Sequence, residues 1–213
     1  GHMDHTWGLD PLIRYYTELK IENRPFLRPA LVAHPKCIEG ISGEGLREIG
    51  PMLSKKKLSK HFDLHLDESP LYLSDRLIFL GQIPRENEFE ICQGIGKKDG
   101  YELDDRLLDD SALVYKTSKG LVIITGCSHS GICNMIEYAK RVCRDDRVLD
   151  IVGGFHLINP DKIRMESTIG YFKALAPKAV HACHCTDLES KIALSRAVNL
   201  KQVGVGLSLA YEP

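Results

Sequence analysis

No stretch of 18 apolar residues occurs in this chain, so a membrane-spanning helix is not expected. The N-terminus also lacks a basic segment followed by an apolar one, which leaves a secretory signal unsupported. Charge of one sign is missing too: 28 Lys and Arg oppose 29 Asp and Glu, a formal net charge of -1. With no basic excess there is no long-range pull towards polyanions, and nucleic acid is not an expected partner. There is no low-complexity tract and no internal repeat, and 43% apolar residues exceed what a disordered chain carries. Seven cysteines are present, but none at CxxC spacing; only Cys183 and Cys185 lie close together. That excludes a thiolate zinc knuckle or a CxxC redox pair as the organising feature. Reduced, mostly buried thiols in a cytoplasmic protein are the expectation.

What is present is a length of 213 residues, enough for one domain or one domain with a substantial insertion. Leu9, Leu12, Ile13, Tyr16 and Leu19 recur at helical spacing. Ala30 to Ala33 reads as a short strand, residues 36–66 as irregular, and Leu71 to Leu80 as a return to strand character. Four lysines between Lys55 and Lys60 are read as a solvated run. The second half alternates strands and helices. Strands are expected at Leu121 to Thr125, Val148 to Val152, Ala179 to Ala182 and Val203 to Leu209. Between them, Ile132 to Cys143, Met165 to Phe172 and Leu188 to Ser195 carry helical periodicity. This alternation indicates an α/β layered fold.

Nine histidines are the chemical signal, and their placement matters more than their number. His129, His156 and His184 each fall just beyond the carboxyl end of an expected strand. That edge is where open α/β sheets put their ligand chemistry. His2-Met3-Asp4-His5 adds two imidazoles and a carboxylate within four residues. Imidazole with carboxylate suits Zn²⁺, Fe²⁺ or Mn²⁺. Cys127 and Cys185 flank these positions as packing groups or as supports behind the ligands, while Cys37, Cys92, Cys133 and Cys143 carry no signal beyond small apolar volume. His61 and His65 stand four apart with no helix pattern around them to make a second site.

With these residues in view, the chain resembles the metallo-β-lactamase superfamily. Within it, the chain resembles the branch of dihydropterin-ribofuranosylaminobenzene 5'-phosphate synthase-like metal-dependent hydrolases. The superfamily's HxHxDH motif is carried by His2-Met3-Asp4-His5. Branch-like segments are Gly81-Gln82-Ile83-Pro84-Arg85 with Phe89-Glu90, Gly126-Cys127-Ser128-His129-Ser130-Gly131, Gly153-Gly154-Phe155-His156-Leu157 and His184-Cys185-Thr186.

The resemblance implies a metallo-β-lactamase αββα sandwich over residues 1–213, with residues 36–110 as a family-specific insertion or lid. The motif's first His would stand two residues before His2, so a fold lacking its N-terminal strands is expected, with an oligomeric partner or a complementary N-terminal segment completing it. The implied metal ligands are His2, Asp4, His5, His129, His156 and His184, holding one or two ions, zinc first. The bridging residue is usually an Asp, and Gly154 stands near its place. Asp4 and His184 are the implied catalytic residues, and Arg85 and His34 the implied substrate contacts; His34 alternatively caps the Pro35 turn. The amides opening the helix at Ile132 are a further candidate for binding an anionic group. The implied function is hydrolysis of a small anionic substrate, phosphorylated or ester-containing and pterin-related, by a metal-activated water. The alternative is a metal-binding or scaffold domain of the same fold with little or no turnover.

Overall fold

Helical and extended segments follow one another closely in the computed structural model, which describes residues 1–43, 45, 47–91 and 94–213; Cys92 lies outside the described residues. The first elements are α1 (Met3–Thr6), α2 (Leu9–Ile21), β1 (Ala30–Ala33), β2 (Ile41–Ser42), α3 (Lys55–His61) and β3 (Asp63–Leu66). Next come β4 (Leu71–Tyr72), β5 (Leu77–Phe79), β6 (Lys97–Lys98), β7 (Ala112–Thr117) and β8 (Gly120–Thr125). The chain continues through α4 (Ile132–Cys143), β9 (Val148–Gly154), α5 (Lys162–Leu175), β10 (Ala179–Cys183) and α6 (Leu188–Ser195). It divides into two units: residues 1–68 with 93–109, and residues 69–92 with 110–213.

In the first unit β1 and β3 pair in parallel, and β2 pairs antiparallel with β6. The region expected to be irregular therefore holds a helix and two strands. Its helix α3 is capped by Ser54, whose Oγ accepts the Lys57 amide, and is anchored by Leu58, its one buried residue. One apolar anchor in KKKLSKH gives no periodic signal, which is why the sequence hides the helix. The lysines are solvent-exposed, as read from the sequence. His61 ends this helix and His65 lies on β3, so the two do not share a helical face.

The second unit is built on a six-stranded sheet of order β10-β9-β8-β7-β5-β4. Strands β8, β9 and β10 run parallel, and the remaining pairs are antiparallel. Gly120 to Ile123 are all buried, as a strand covered on both faces requires. Helix α4 buries Ile132, Met135, Ile136, Ala139 and Cys143 at the spacing read from the sequence. Phe172 of α5 stacks against Phe155 with ring centroids 5.5 Å apart. The strand character expected over Leu71 to Leu80 takes the form of a hairpin, β4 and β5, turned at Ser74, whose Oγ accepts the amides of Arg76 and Leu77. The strand expected in the tail is absent. Val203 to Leu209 forms no strand: after one bridge between Val180 and Leu200 the chain leaves the sheet edge. Gly204 and Gly206 alternate with the apolar residues there, and Gly206 takes a φ of 88°, which ends any extended run.

The tail is held by a buried polar group. His181 Nδ1 lies 2.9 Å from Asp150 Oδ1, and the Tyr211 hydroxyl donates to Asp150 Oδ2 at 2.7 Å. Burial, then the Asp150 carboxylate, push the Tyr211 phenol pKa upward. Tyr211→Phe would leave a carboxylate oxygen of buried Asp150 without this donor. It is expected to cost about 1.5–3 kcal/mol in urea unfolding with an unchanged m-value. A loss below about 0.5 kcal/mol would show that water replaces the hydroxyl.

Candidate metal centre

Three loops of the second unit leave the parallel strands at one level. Ile124 of β8 aligns with Val152 of β9, which aligns with His181 of β10, so the three strands reach the same edge together. The loops are tied to each other by hydrogen bonds that each use a main-chain group. The Gly154 amide donates to the Gly126 carbonyl at 2.8 Å, and the Ser128 hydroxyl donates to the Gly154 carbonyl at 2.7 Å. The Leu157 amide donates to the Cys185 carbonyl, and the Phe155 amide to Thr186 Oγ1. Each loop also holds a non-glycine residue in the left-handed region: Ser128 at φ 61°, His156 at φ 50° and His184 at φ 45°. Such a conformation costs on the order of 1–3 kcal/mol per residue and is concentrated at functional sites.

These turns bring His129 close to His156, and His184 close to Cys127. The His129 and His156 rings stand 4.2 Å apart between centroids, tilted by 57°. His129 is buried, His156 half-buried and His184 exposed. A ring nitrogen of His184 and the sulfur of Cys127 lie within 4.8 Å of each other. Cys127, expected to pack or to stand behind the ligands, has its sulfur placed to serve as a donor itself. Its position, two residues before His129 in a strand-end loop, was the available signal.

Cys185 occupies the ground behind this pair. Its Sγ accepts the His156 amide at 3.2 Å and stands 3.2 Å from the Cys127 carbonyl. Hydrogen bonding from the Cys127 side chain, and then from His156, pulls the Cys185 pKa down against the opposing effect of burial. Gly154 is the residue that the family resemblance puts near the bridging carboxylate. A Cβ on it would stand 2.6 Å from Cys185 Sγ and 2.6 Å from the Gly126 carbonyl oxygen. No side chain fits there, so this position supplies no bridging ligand.

The helix opening at Ile132 does not offer a free anion site. Buried Glu90 already accepts the Cys133 and Asn134 amides, each at 2.8 Å. The expectation of substrate binding at those amides is overturned, because a protein carboxylate fills the place. Arg85 is half-buried and precedes Glu86, whose amide donates to Asn134 Oδ1.

In the first unit the HxDH residues lie on one helical turn. His2 precedes α1 and accepts the His5 amide at its carbonyl. His5 Nε2 and Asp4 Oδ2 are 3.5 Å apart, and both side chains are solvent-accessible. Burial lowers the His2 pKa, followed by the nearby amino terminus. His34 is buried, and its Nδ1 accepts the Lys36 amide at 3.1 Å, so it caps the turn Pro35–Ile38. Among the described residues no helix is long and apolar enough to cross a membrane.

No family model matches the chain. It is 31% identical over 207 residues to an uncharacterized protein of Methanocaldococcus jannaschii, covering 97% of this chain and 74% of that protein. It is also 31% identical over 199 residues to the 7,8-dihydropterin-6-methyl-4-(beta-D-ribofuranosyl)-aminobenzene-5'-phosphate synthase of the same organism. That match covers 90% of this chain and spans 65% of the enzyme's length. The crystal structure of Tm1679, a metal-dependent hydrolase of the β-lactamase superfamily, aligns with a TM-score of 0.76 at 23% identity. The alignment covers 88% of this chain and 73% of that one, and it establishes the αβ sandwich fold.

Proposed function

Because the chain belongs to the metallo-β-lactamase superfamily and is related to its dihydropterin synthase branch, we propose that it is a metal-dependent hydrolase of a small phosphorylated or ester-containing substrate. A pterin-related phosphate ester is the first candidate, from the name of one relative. The observation that carries this reading is the convergence of three strand-end loops bearing His129, His156 and His184, each held by a left-handed residue.

The donor chemistry fits a divalent transition metal. Imidazole nitrogen and thiolate sulfur within 4.8 Å, as in His184 and Cys127, match what one ion with bonds of about 2.0–2.3 Å spans. His129 and His156 are the further ligands proposed from this unit, and His2, Asp4 and His5 those from the HxDH motif. Zinc is the ion proposed first, with Fe²⁺ or Mn²⁺ compatible with the imidazole and carboxylate donors. When bound, such a metal supplies Lewis acidity and a nucleophile at neutral pH. Asp4 is proposed to accept a hydrogen bond from the attacking water and orient it, and His184 to hold charge at the reacting centre. Arg85 is proposed to receive the substrate's anionic group through its planar guanidinium. His34 has its Nδ1 committed to the Lys36 amide, which accounts for its position without a substrate.

The missing bridging carboxylate at Gly154 favours a second reading, a metal-binding domain with little turnover. One experiment separates the two. Elemental analysis is paired with hydrolysis of bis(4-nitrophenyl) phosphate, 4-nitrophenyl phosphate and a 4-nitrophenyl ester. Bound metal with chelator-sensitive turnover supports the hydrolase. Bound metal with no turnover on any substrate supports the second reading, and absence of metal removes both.

A further inference from the structure

The Phe89-Glu90 segment and the residues opening α4 carry a structural feature that metal binding alone does not require. Asn134 lies within the first turn of α4 and uses its whole side chain. Its Oδ1 accepts the amides of Glu86 and Asn87, each at 2.9 Å, and its Nδ2 donates to the Ser130 carbonyl at 2.9 Å. Its own amide, with that of Cys133, donates to the Glu90 carboxylate. Glu90 is in turn held by Asn87, whose Nδ2 donates to Oε2 at 3.2 Å. Glu90 and Asn134 are both buried. Gly131 has no Cβ because one would stand 2.4–2.6 Å from the Glu90 side chain, at a φ of +95°.

The two chain segments joined in this way are informative. Glu86 follows Arg85 directly, and Ser130 follows His129 directly. We infer that Asn134 and Glu90 form a buried staple that fixes the loop of Arg85 to the loop of His129, making both of them positioning residues that set the spacing between substrate anion and metal. The inference rests on the roles proposed above for Arg85 and His129. The physical basis is that a side-chain amide with its acceptor and donor atoms engaged to two different loops allows neither loop to shift alone. Burying a carboxylate at a helix N-terminus is favourable only because the amides and the helix dipole offset its desolvation. A structural cap needs only one such group. Here the cap is doubled, and its second half reaches the residue after each functional side chain.

The test uses the whole chain, hydrogen exchange followed by mass spectrometry, and binding of inorganic phosphate. Asn134→Asp keeps an acceptor for the Glu86 and Asn87 amides and loses the donor to Ser130. Exchange in residues 126–131 should then rise about tenfold while residues 83–90 stay protected. Asn134→Ala should raise exchange in both segments and weaken phosphate binding about tenfold. Glu90→Gln, which retains one acceptor oxygen, should show the same pattern at smaller amplitude. If the staple acts through Arg85, adding Asn134→Ala to Arg85→Ala should cost no further phosphate affinity. Fully additive losses, or unchanged phosphate affinity in Asn134→Ala, would overturn the inference. Should the unaltered chain bind no phosphate, the role proposed for Arg85 falls. Exchange then decides the staple alone: both segments loosening together in Asn134→Ala supports it, and one loosening without the other overturns it.

Discussion

His184→Ala is expected to lower metal affinity more than about a hundredfold and hydrolysis about a thousandfold. The imidazole is a proposed ligand, and its position is not a consequence of core packing: the side chain is exposed, at the end of β10. A loss of function through unfolding would therefore be unexpected, and the backbone offers a way to prove it. His184 holds a φ of 45°, where a side chain costs on the order of 1–2 kcal/mol and glycine does not. His184→Gly should consequently be as stable as the unaltered chain to within about 1 kcal/mol, the relieved strain offsetting the entropy of the freer unfolded chain. It should nevertheless lose metal as fully as His184→Ala. Metal content by elemental analysis and unfolding by urea read the two properties separately. Metal retained in both variants would remove His184 from the ligand set.

The second large effect concerns Gly154. Restoring the family's carboxylate by Gly154→Asp should not improve activity; it should destabilise the protein by about 3 kcal/mol or more. The reason is steric. A Cβ at this position would meet Cys185 Sγ and the Gly126 carbonyl oxygen, each at 2.6 Å, and the carbonyl belongs to a backbone that the Gly154 amide itself holds. Cys185→Gly removes the sulfur contact and leaves the backbone one. The double variant should thus recover only part of the loss, and the difference measures how much strain the sulfur carries. A Gly154→Asp protein with unaltered thermal unfolding would show that the β9 to β10 edge opens more easily than its hydrogen bonds imply.

Much of the second unit was legible from its sequence. Leu121 to Thr125, Val148 to Val152 and Ala179 to Ala182 are short apolar runs, and α4 and α5 between them keep a 3.6-residue rhythm; β8, β9, β10, α4 and α5 stand where these patterns put them. Helix α6 also stands where it was expected, but Leu188 and Ile192, which marked it, are exposed, and Leu194 is its buried apolar residue. The histidines after the strands followed from the same pattern, since a residue that ends a parallel strand must lie at that sheet edge. Elsewhere the signal was thin. Helix α3 buries one leucine, β4 and β5 are separated by a serine-bearing turn, and the apolar residues of the tail alternate with glycines. Strand β7 was not anticipated. It follows a run of charged residues, and its half-buried pattern is interrupted at Tyr115 and Lys116.

The nine histidines, the near-zero net charge and the order of strands and helices were determined by the sequence alone, because residue type and local periodicity are properties of neighbours along the chain. Three other features were decided only by tertiary structure. The Cys127 sulfur meets His184 from another loop, the Glu90 carboxylate reaches amides 43 and 44 residues away, and Gly154 has its Cβ space filled by Cys185 from the loop after β10. Each depends on which distant segments share a volume once the core closes. No local period encodes that. It is why the helix opening at Ile132 read as a place for substrate and proved to be a place for Glu90.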